Sequence, residues 1–316
     1  MIVTLTPNPS LDRTIALARL QPGGVHRALS LREDPGGKGV NVSRALAANG
    51  AATVAVVPAG GELAPRFSAL LADAQVTHDL VDLPGAVRTN ITLVEDDGTT
   101  TKVNELGRDS TAADAALMLA AAESHLEGAS WVVGCGSLPP GLGGEVYVEL
   151  IARARRRGVA VAIDTSGAAL TSVIAAGPDL IKPNHHELAE HAGRPLPLLT
   201  DVVDAAREIV AAGVATVVVS LGAQGAVAVS RDGAVHAVSH VTAPLSTVGA
   251  GDCLLAGWLH AVSEGASARD AIERAVRWGS AAVALPGSAV PGPHDVESVA
   301  VTSHPALDPL LAMSGD

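Results

Sequence analysis

The sequence predicts an α/β fold in which helices flank a mostly parallel central sheet. Short, almost continuously apolar runs alternate along the chain with longer stretches that carry helix signals, which is the order of strand–helix–strand units. Val, Ile and Ala fill these runs without polar alternation, as in strands that are buried on both faces. The 316 residues suffice to bury a large core.

The elements of this sheet can be placed in order. A helix over residues 42–49 is closed by Gly50, and the last helices span 268–285. The arginine cluster 153–157 lies on a helix that ends at Gly158, where positive charge suits the helix dipole, so it is interpreted as a solvated surface. Six core strands are predicted at residues 2–6, 53–57, 131–135, 159–164, 180–182 and 216–220.

Two segments alternate polar and apolar residues and predict antiparallel hairpins outside the main sheet. A lone hairpin is not stable, so each must pack on something else. The predicted strand pairs are 14–17 with 25–31, turning at 22–24, and 87–94 with 101–104, turning at 97–98.

Composition excludes several classes of function. The net charge of −12, without a basic stripe or tail, argues against a nucleic-acid partner. The two cysteines, Cys135 and Cys253, lie far apart in the sequence, which fits a reducing cytoplasm, and Cys253 is interpreted as a small packing residue. No apolar run approaches ~18 residues, and the N-terminus lacks a basic region, so neither export nor membrane contact is expected.

The most informative segment is the turn 246–252, which runs directly into the apolar stretch 253–259. Two glycines one residue apart allow a tight bend, and a helix that starts there presents backbone N–H groups at the positive end of its dipole, which favours an anion. Asp252 beside such a site needs a function, and deprotonating a hydroxyl that attacks a phosphate is one. The alternative is a Gly-rich turn with Asp252 as the helix N-cap.

A second Gly-rich turn, 34–41, also leads into a helix. It is not a P-loop, because Arg32 and Gly39 stand where the pattern requires Gly and Ser or Thr. The turn at 246–252 lacks the dinucleotide fingerprint, because Leu254 replaces its third glycine. A phosphate ligand would therefore be held in another arrangement.

Polar residues follow several predicted strands, at the sheet edge where open α/β folds bind ligands. Of three lysines, Lys38 and Lys182 fall in candidate phosphate motifs, whereas Lys102 is interpreted as a solvated strand residue. Asp164 either organises nucleotide and Mg²⁺ or caps a helix. The candidate ligand-binding residues after the strands are Asp12, Ser137, Asp164, Lys182, Asn184, Ser220 and Gly222.

Asn184 and Glu187 have two interpretations. They either organise Mg²⁺ through water or form the capping box of a helix, and both can hold at once. A zinc site built on the histidines of this segment fails on spacing, because Glu190 stands where H-E-x-x-H requires the second histidine.

Seven motifs, in their order and spacing, resemble the ribokinase-like (PfkB) carbohydrate kinases. The resemblance covers nearly the whole chain. It implies one kinase domain over 1–316 with a small antiparallel β-lid from about 12–33 and 87–105, and lids that clasp in a homodimer. The opening 6–12 and the form of 246–252 look most like the 1-phosphofructokinase and tagatose-6-phosphate kinase branch. The motifs are residues 8–12, 36–41, 88–90, 136–141, 182–187, 220–222 and 247–252.

The resemblance also implies roles for individual residues. Asp252 is the catalytic base, and the N–H groups of Gly249, Ala250 and Gly251 hold charge developing on the γ-phosphate. ATP contacts are expected from Lys182, Asn184, Ser220, Gly222, Gly225, Thr247, Gly249 and Gly251, and Mg²⁺ contacts from Asn184 and Glu187. Sugar-phosphate contacts are expected from Asp12, Arg27, Gly37, Lys38, Gly39, Asn41, Arg88, Asn90 and Ser137.

Three of these residues, Lys38, Arg27 and Arg88, are expected to converge on the phosphate that the acceptor already carries, because an acidic protein must attract anions through a few focused cations. Arg27 and Arg88 can also be solvated strand residues. Asp12 can be a turn residue and Asn41 an ordinary early-helix residue.

The expected function is that of a cytoplasmic ATP- and Mg²⁺-dependent kinase that converts fructose 1-phosphate to fructose 1,6-bisphosphate. A 6-phosphofructokinase or a tagatose-6-phosphate kinase are the alternatives on the same scaffold. A catalytically silent sugar-phosphate sensor is the alternative of another class, and an NAD-dependent oxidoreductase is disfavoured by the missing fingerprint.

Overall fold

A computed structural model describes residues 1–85, 87–304 and 307–313. Strands and helices alternate over much of the chain, as the sequence predicts, and the exceptions are short runs of consecutive strands or consecutive helices. The strands are β1 (Ile2–Leu5), β2 (Ser10–Leu17), β3 (Ser30–Gly36), β4 (Thr53–Pro58), β5 (His78–Val81), β6 (Arg88–Glu95), β7 (Thr100–Asn104), β8 (Trp131–Cys135), β9 (Ala160–Asp164), β10 (Leu180–Ile181), β11 (Thr216–Ser220), β12 (Ala226–Ser230), β13 (Gly233–Ser239) and β14 (Val301–His304). The helices are α1 (Lys38–Ala48), α2 (Ala64–Asp73), α3 (Ala112–Ser124), α4 (Glu145–Arg157), α5 (Gly167–Ala176), α6 (His185–Ala192), α7 (Leu199–Ala211), α8 (Ala250–Ser263), α9 (Ala268–Val283) and α10 (Pro293–Glu297).

The large sheet has the strand order β14-β13-β12-β11-β10-β9-β8-β1-β4-β5. Neighbours from β5 to β11 pair in parallel, and β12, β13 and β14 are added antiparallel at one edge. Successive side chains of a strand point to opposite faces. Val217 and Val219 of β11 accordingly join one buried cluster, while Val218 joins the other. Helices cover both faces, which explains the continuous apolar runs.

The second sheet has the order β3-β2-β6-β7. Its two outer pairs are antiparallel, and its central pair, β2 with β6, is parallel. Ser10, Asp12, Asp34 and Asn90 share one face, because Asp12 pairs with both Asp34 and Asn90. Pro35 lies on the edge strand β3, where its missing N–H costs no ladder hydrogen bond.

The six predicted core strands are confirmed to within one residue at each end. The arginine cluster ends α4 at Gly158, which has φ 67°, and its side chains pair with Glu123 and Glu149 or bind carbonyls at the end of α5. The sequence analysis does not predict the strands β5, β12, β13 and β14. Their segments are short, or they alternate polar and apolar residues beside a Gly-containing turn. Among the described residues, no helix combines the length and apolarity that a membrane span requires.

Two local predictions are wrong. The helix predicted over 42–49 begins four residues earlier, at Lys38, because Gly37 with φ 113° ends the turn directly before it.

The first hairpin pairs Ser10–Leu17 with Ser30–Gly36, and residues 18–29 form a connection between them. The turn at 22–24 exists, but it lies within this connection. The second hairpin, β6 with β7, is confirmed, with Gly98 at φ 86° in its turn.

Candidate functional site

The N-terminus of α8 lies at the carboxyl-end edge of the large sheet. Gly249 caps the helix with φ 77°, a conformation that favours glycine. The first N–H groups of a helix have no partner within it, and the Ala250 N–H reaches the Thr247 carbonyl only at 3.4 Å. Asp252 is the third residue of α8, so it is not the N-cap. The turn thus offers N–H groups next to a carboxylate that capping does not explain.

The Asp252 carboxylate is buried and faces several charged groups. Its Oδ2 accepts a hydrogen bond of 2.8 Å from Asn41 Nδ2 in α1. Burial raises the pKa of Asp252 to about 6 and the Asp164 carboxylate adds to the rise, while Lys38, Asn41 and Lys182 oppose it. A carboxyl group with a pKa close to neutral is suited to accept a proton from a hydroxyl.

Two lysines form ion pairs with Asp164, which is the last residue of β9 and has a fully buried side chain. Lys38 Nζ lies 2.8 Å from Asp164 Oδ1, and Lys182 Nζ lies 3.1 Å from Asp164 Oδ2. Burial would raise the pKa of Asp164, but the two ammonium groups outweigh it and lower the pKa below its ordinary value. A Cβ atom added at Gly251 would lie 3.4 Å from Lys182 Nζ. The Lys182 ammonium is therefore adjacent to the turn that begins α8.

Asp164 does not cap the following helix. Helix α5 begins at Gly167, with Ser166 as its N-cap residue and no side-chain cap hydrogen bond. The helix-capping interpretation of Asp164 is therefore wrong, and its role with nucleotide or Mg²⁺ stays a prediction.

Asn184 and Glu187 form the predicted capping box at the start of α6. The Glu187 N–H donates to Asn184 Oδ1, and the Asn184 N–H donates to Glu187 Oε2, both at 2.8 Å. Glu187 Oε1 lies 3.9 Å from Lys38 Nζ and keeps lone pairs free of the box. Within the described ranges, no group of three or more His, Cys, Asp or Glu could hold a metal by itself. Glu187 Oε1 is an oxygen of the kind that Mg²⁺ prefers, and an ion bound there would keep several of its waters.

Three of the predicted sugar contacts, Asp12, Arg88 and Asn90, lie on the polar face of the second sheet. Asp12 Oδ1 accepts hydrogen bonds from Ser10 Oγ at 2.7 Å and from Asn90 Nδ2 at 2.9 Å. Burial raises the pKa of Asp12 although both hydrogen bonds lower it. Asn90 Oδ1 is buried and has no hydrogen-bond partner. Asp12 is a strand residue here, so its interpretation as a turn residue is wrong.

The predicted convergence of three cations is not found. Lys38 contacts Asp164 and Glu187, whereas Arg88 Nη1 donates to the Glu105 carbonyl and lies near Asp12. Arg27 is exposed in the connection 18–29, outside the strand where the sequence analysis placed it. Lys38 does not lie with the two arginines, because α1 begins at Lys38 itself and its side chain extends towards β9. Arg88 Nε is buried and lacks a partner, and burial lowers the pKa of Arg88.

The remaining predicted residues lie along the same sheet edge or near it. Ser137 is exposed after β8, and Thr247 is exposed just before α8. Ser220 ends β11 and forms a bridge with Asn184. Gly222 begins a short 3₁₀ turn that ends at Gly225, where a side chain would collide with the Ala237 carbonyl.

Gly37 and Gly39 allow the start of α1 to approach β1. A Cβ atom at Gly37 would lie 2.7 Å from Thr6 Cγ2, and one at Gly39 would overlap Thr6 Oγ1. The close approach brings Asn41 within reach of Asp252. Thus Asn41 contacts the candidate base, not the polar face of the second sheet.

Sequence reasoning missed Arg44, which is buried and donates to Asn41 Oδ1 at 3.1 Å. Its only signal is a charged residue on the apolar side of a predicted helix. It also missed Ser10 as a partner of Asp12, although Ser10 stands within the first motif.

A model of the pfkB family of carbohydrate kinases matches residues 6–295. The 1-phosphofructokinase of Rhodobacter capsulatus is 39% identical over 305 residues, covering 95% of this chain and 96% of the relative. ATP-dependent 6-phosphofructokinase isozyme 2 of Escherichia coli K12 is 35% identical over 301 residues, covering 94% and 97%. A crystal structure of phosphofructokinase-2 from Escherichia coli, in complex with substrates and products, superposes with a TM-score of 0.87 at 33% identity, covering 94% of this chain and 97% of that one. The chain belongs to the pfkB family of carbohydrate kinases.

Proposed function

We propose that the protein is an ATP-dependent sugar-phosphate kinase that transfers a phosphoryl group to the 6-hydroxyl of fructose 1-phosphate. The observation that carries the proposal is the buried Asp252 carboxylate at the N-terminus of α8, within a cluster that contains two lysines. The Rhodobacter relative named 1-phosphofructokinase is more similar than the 6-phosphofructokinase relative, at 39% against 35% identity. The 1-phosphofructokinase of Xanthomonas campestris is 38% identical, while two others of that name are 31% identical, so the names support fructose 1-phosphate as the first acceptor to test.

In this proposal Asp252 takes the proton from the sugar hydroxyl as its oxygen attacks the γ-phosphorus of ATP, and ADP leaves. The N–H groups of Gly249, Ala250 and Gly251 stabilise the charge that develops on the transferred group. Lys182 adds a fixed positive charge beside Gly251. The same turn therefore serves the nucleophile and the γ-phosphate.

ATP is expected along the edge formed by β10 and β11. Lys182 and Asn184 follow β10, and Ser220 and Gly222 follow β11, the position at which open α/β sheets bind nucleotides. Thr247 and Gly225 lie on the neighbouring turns. The E. coli relative is named ATP-dependent, which supports ATP as the donor.

Asn184 and Glu187 would hold Mg²⁺ through water, with Glu187 Oε1 as the available oxygen. The ion supplies neutralisation of the negative charge on the nucleotide phosphates. The protein's own contribution is to fix the Glu187 carboxylate, because the Asn184 N–H occupies its other oxygen.

The sugar phosphate is expected on the polar face of the second sheet, which acts as a lid. Unpaired buried groups there match such a ligand, since Asn90 Oδ1 can accept from a sugar hydroxyl and Arg88 Nε can donate to a phosphate. Asp12 and Ser137 flank the same region in the proposal. Arg27 belongs to the phosphate contacts only if the connection 18–29 moves over the site or is supplied by a second subunit.

A homodimer through the lids is part of the proposal. The face opposite Asp12 and Asn90 carries apolar residues, among which Leu31 and Val103 are 59% and 56% exposed. Burial of such a face against a second copy would stabilise the assembly. A cytoplasmic location is supported by Cys135 and Cys253, which are free thiols.

A coupled assay of ADP release, run with a panel of acceptors, tests the function. The acceptors are fructose 1-phosphate, fructose 6-phosphate, tagatose 6-phosphate and free fructose. The highest kcat/KM is expected for fructose 1-phosphate, and Asp252→Asn is the matched inactive control. Preference for another sugar phosphate selects one of the alternative kinases. Binding of sugar phosphate without any turnover would instead identify a sensor.

A further inference from the structure

Arg44 is a buried arginine that the proposed mechanism does not use. It lies in α1, one turn after Asn41, and is 6% exposed. Burying a guanidinium is costly unless its donors are paired. Its Nη1 group donates to the carbonyls of Pro35 and Ser288, at 3.4 and 3.1 Å, and to Asn41 Oδ1 at 3.1 Å. Its Nη2 group lies 3.6 Å from Asp34 Oδ1 on β3.

The contact between Arg44 and Asn41 constrains the Asn41 amide. A carboxylate accepts hydrogen bonds and a guanidinium only donates them. The amide lies between the two, with Asp252 Oδ2 at 2.8 Å from Nδ2 and Arg44 Nη1 at 3.1 Å from Oδ1. It satisfies both neighbours in one orientation only, with its oxygen towards Arg44 and its NH₂ group towards Asp252.

We infer that Arg44 is a positioning residue for the catalytic base, acting through Asn41: it holds the amide so that its NH₂ group always faces Asp252. The inference rests on the proposed role of Asp252. Without Arg44 the amide loses the partner of its oxygen and can rotate, so the hydrogen bond that stabilises the charged form of Asp252 is made only part of the time. Asp252 then protonates at a higher pH.

Asp252 and Arg44 are both surrounded by titratable groups from several elements. Asp252 is faced by Asp164 from β9, Lys38 from α1 and Lys182 after β10. Arg44 is faced by Asp34 and Arg32 from β3, Asp12 from β2 and Cys253 from α8. Arg32 also pairs with Asp34, through Nε at 2.8 Å from Oδ2 and Nη2 at 2.8 Å from Oδ1. Removing Arg44 therefore leaves Asp34 with a strong partner.

The test measures kcat/KM for the sugar phosphate from pH 5 to 9 in Arg44→Met, in Asn41→Ala and in the double variant. Met retains the length of the side chain without its donors. Arg207→Met, at an exposed position of α7, is the control. The acid limb of Arg44→Met should move up by ~0.5–1 pH unit, because complete loss of a hydrogen bond to a charged group corresponds to ~1–2 units. The ratio of wild-type kcat/KM to that of Arg44→Met should be about two- to sixfold larger at pH 6 than at pH 8.5. Titration of the sugar phosphate itself is common to all variants.

The double variant distinguishes positioning from a direct effect of charge. If Arg44 acts through Asn41, the acid limb of the double variant matches that of Asn41→Ala. A further upward shift in the double variant overturns the inference, because it means that Arg44 acts by its charge alone. An Arg44→Met profile that is lower by the same factor at every pH also overturns it, because Arg44 then has only a structural role.

Two precautions keep the test decisive. If Arg44→Met does not fold, Arg44→Met with Asp34→Asn removes both charges together and should show the same shift. If the wild-type protein turns over none of the acceptors, the proposed function fails, and the ¹³C-carboxyl titration of Asp252 replaces the kinetics. That resonance is assigned by its loss in Asp252→Asn, and an unchanged midpoint in Arg44→Met would reject the positioning role independently of activity.

Discussion

Lys38 Nζ lies 2.8 Å from Asp164 Oδ1, so the first residue of α1 is joined to the end of β9 across the candidate site. Burial alone would lower the pKa of Lys38, but the carboxylates of Asp164, Asp252 and Glu187 outweigh it and raise the pKa well above its ordinary value. Lys38 therefore remains charged throughout the range in which Asp252 titrates. The Lys38 charge beside Asp252 is therefore fixed, while Asp252 changes its protonation near neutral pH.

Asp164→Asn should separate the two effects of this carboxylate. It should lower kcat/KM at pH 8 by about ten- to hundredfold, because Lys38 and Lys182 lose the group that positions them. It should also move the acid limb to lower pH, because the Asp164 charge helps to raise the pKa of Asp252. A pH profile of kcat/KM measures both, with Asp204→Asn on α7 as the control. An acid limb that moves upward would contradict the electrostatic argument.

Asp252→Asn should lower kcat by ~10²–10⁴, the usual range for the loss of general-base catalysis, with ATP affinity within a few-fold of wild-type. The Asn side chain can keep its contact with Asn41 through its oxygen, so the local geometry is preserved. Steady-state kinetics and direct binding of ATP measure the two quantities. A variant that retains more than a third of the wild-type kcat would remove Asp252 from the mechanism.

The same substitution should stabilise the protein in a pH-dependent way. The pKa of Asp252 is about 6 in the folded protein, against an ordinary value of 3.8, so the folded state keeps a proton that the unfolded state releases. The free energy of unfolding therefore falls as pH rises from about 4 to about 6. The Asn side chain carries no charge, so Asp252→Asn does not undergo this loss. The variant should be more stable than the wild-type protein by on the order of 2–3 kcal/mol at pH 7.5, with little difference near pH 4.

Thermal unfolding at the two pH values checks this prediction, and Asp204→Asn on the exposed surface of α7 serves as the control. If the change in Tm is the same at pH 4 and pH 7.5, burial of the ionised carboxylate is not its cause.

The core strands and the Asp252 turn could be predicted because local patterns determine them. The six apolar runs bury alternate residues on two covered faces, and the glycines at 249 and 251 occur where a helix starts. The positions of individual side chains depend on long-range contacts that no local pattern contains. Lys38 pairs with a residue 126 positions away, and moving the start of α1 by four residues redirects it from the lid to Asp164.

Arg27 illustrates a second limit. Alternation over 25–31 predicted a strand, yet Val25 is completely exposed and pairing begins only at Ser30. The observed register places Asp12 opposite Asn90, and Asp12 Oδ1 accepts a hydrogen bond from Asn90 Nδ2 across the two strands. A hydrogen bond between side chains of two distant strands is not visible in the sequence of either strand alone.

Val103→Lys should weaken the proposed dimer. Val103 is 56% exposed on β7 and shares a face with Ile91, to which it is paired. A charge there would have to be desolvated in a lid–lid interface. Light scattering at micromolar concentration should give a dimer for wild-type and a larger monomer fraction for the variant. Leu117→Lys replaces a similarly exposed residue of α3 and should leave the mass unchanged. A wild-type monomer with full activity would reject the dimer.

Arg88→Ala should raise KM for the sugar phosphate by roughly ten- to hundredfold, the equivalent of a lost charge-assisted hydrogen bond of ~1.5–3 kcal/mol. Arg88 Nε is buried without a partner, close to Asp12 and Asn90, and a phosphate on the acceptor would satisfy it. KM for ATP should change little, because ATP is expected at the edge formed by β10 and β11.

The matched control is Arg194→Ala, which removes an exposed arginine paired with Glu208. Wild-type enzyme should use fructose 1-phosphate far better than free fructose, because the free sugar leaves Arg88 Nε without a partner. For Arg88→Ala the preference between the two sugars should shrink by the same factor as KM rises, since free fructose never used that contact. Equal kcat/KM for the two sugars in the wild-type enzyme, or an unchanged KM for fructose 1-phosphate in Arg88→Ala, would show that this face of the lid does not bind the phosphate of the acceptor.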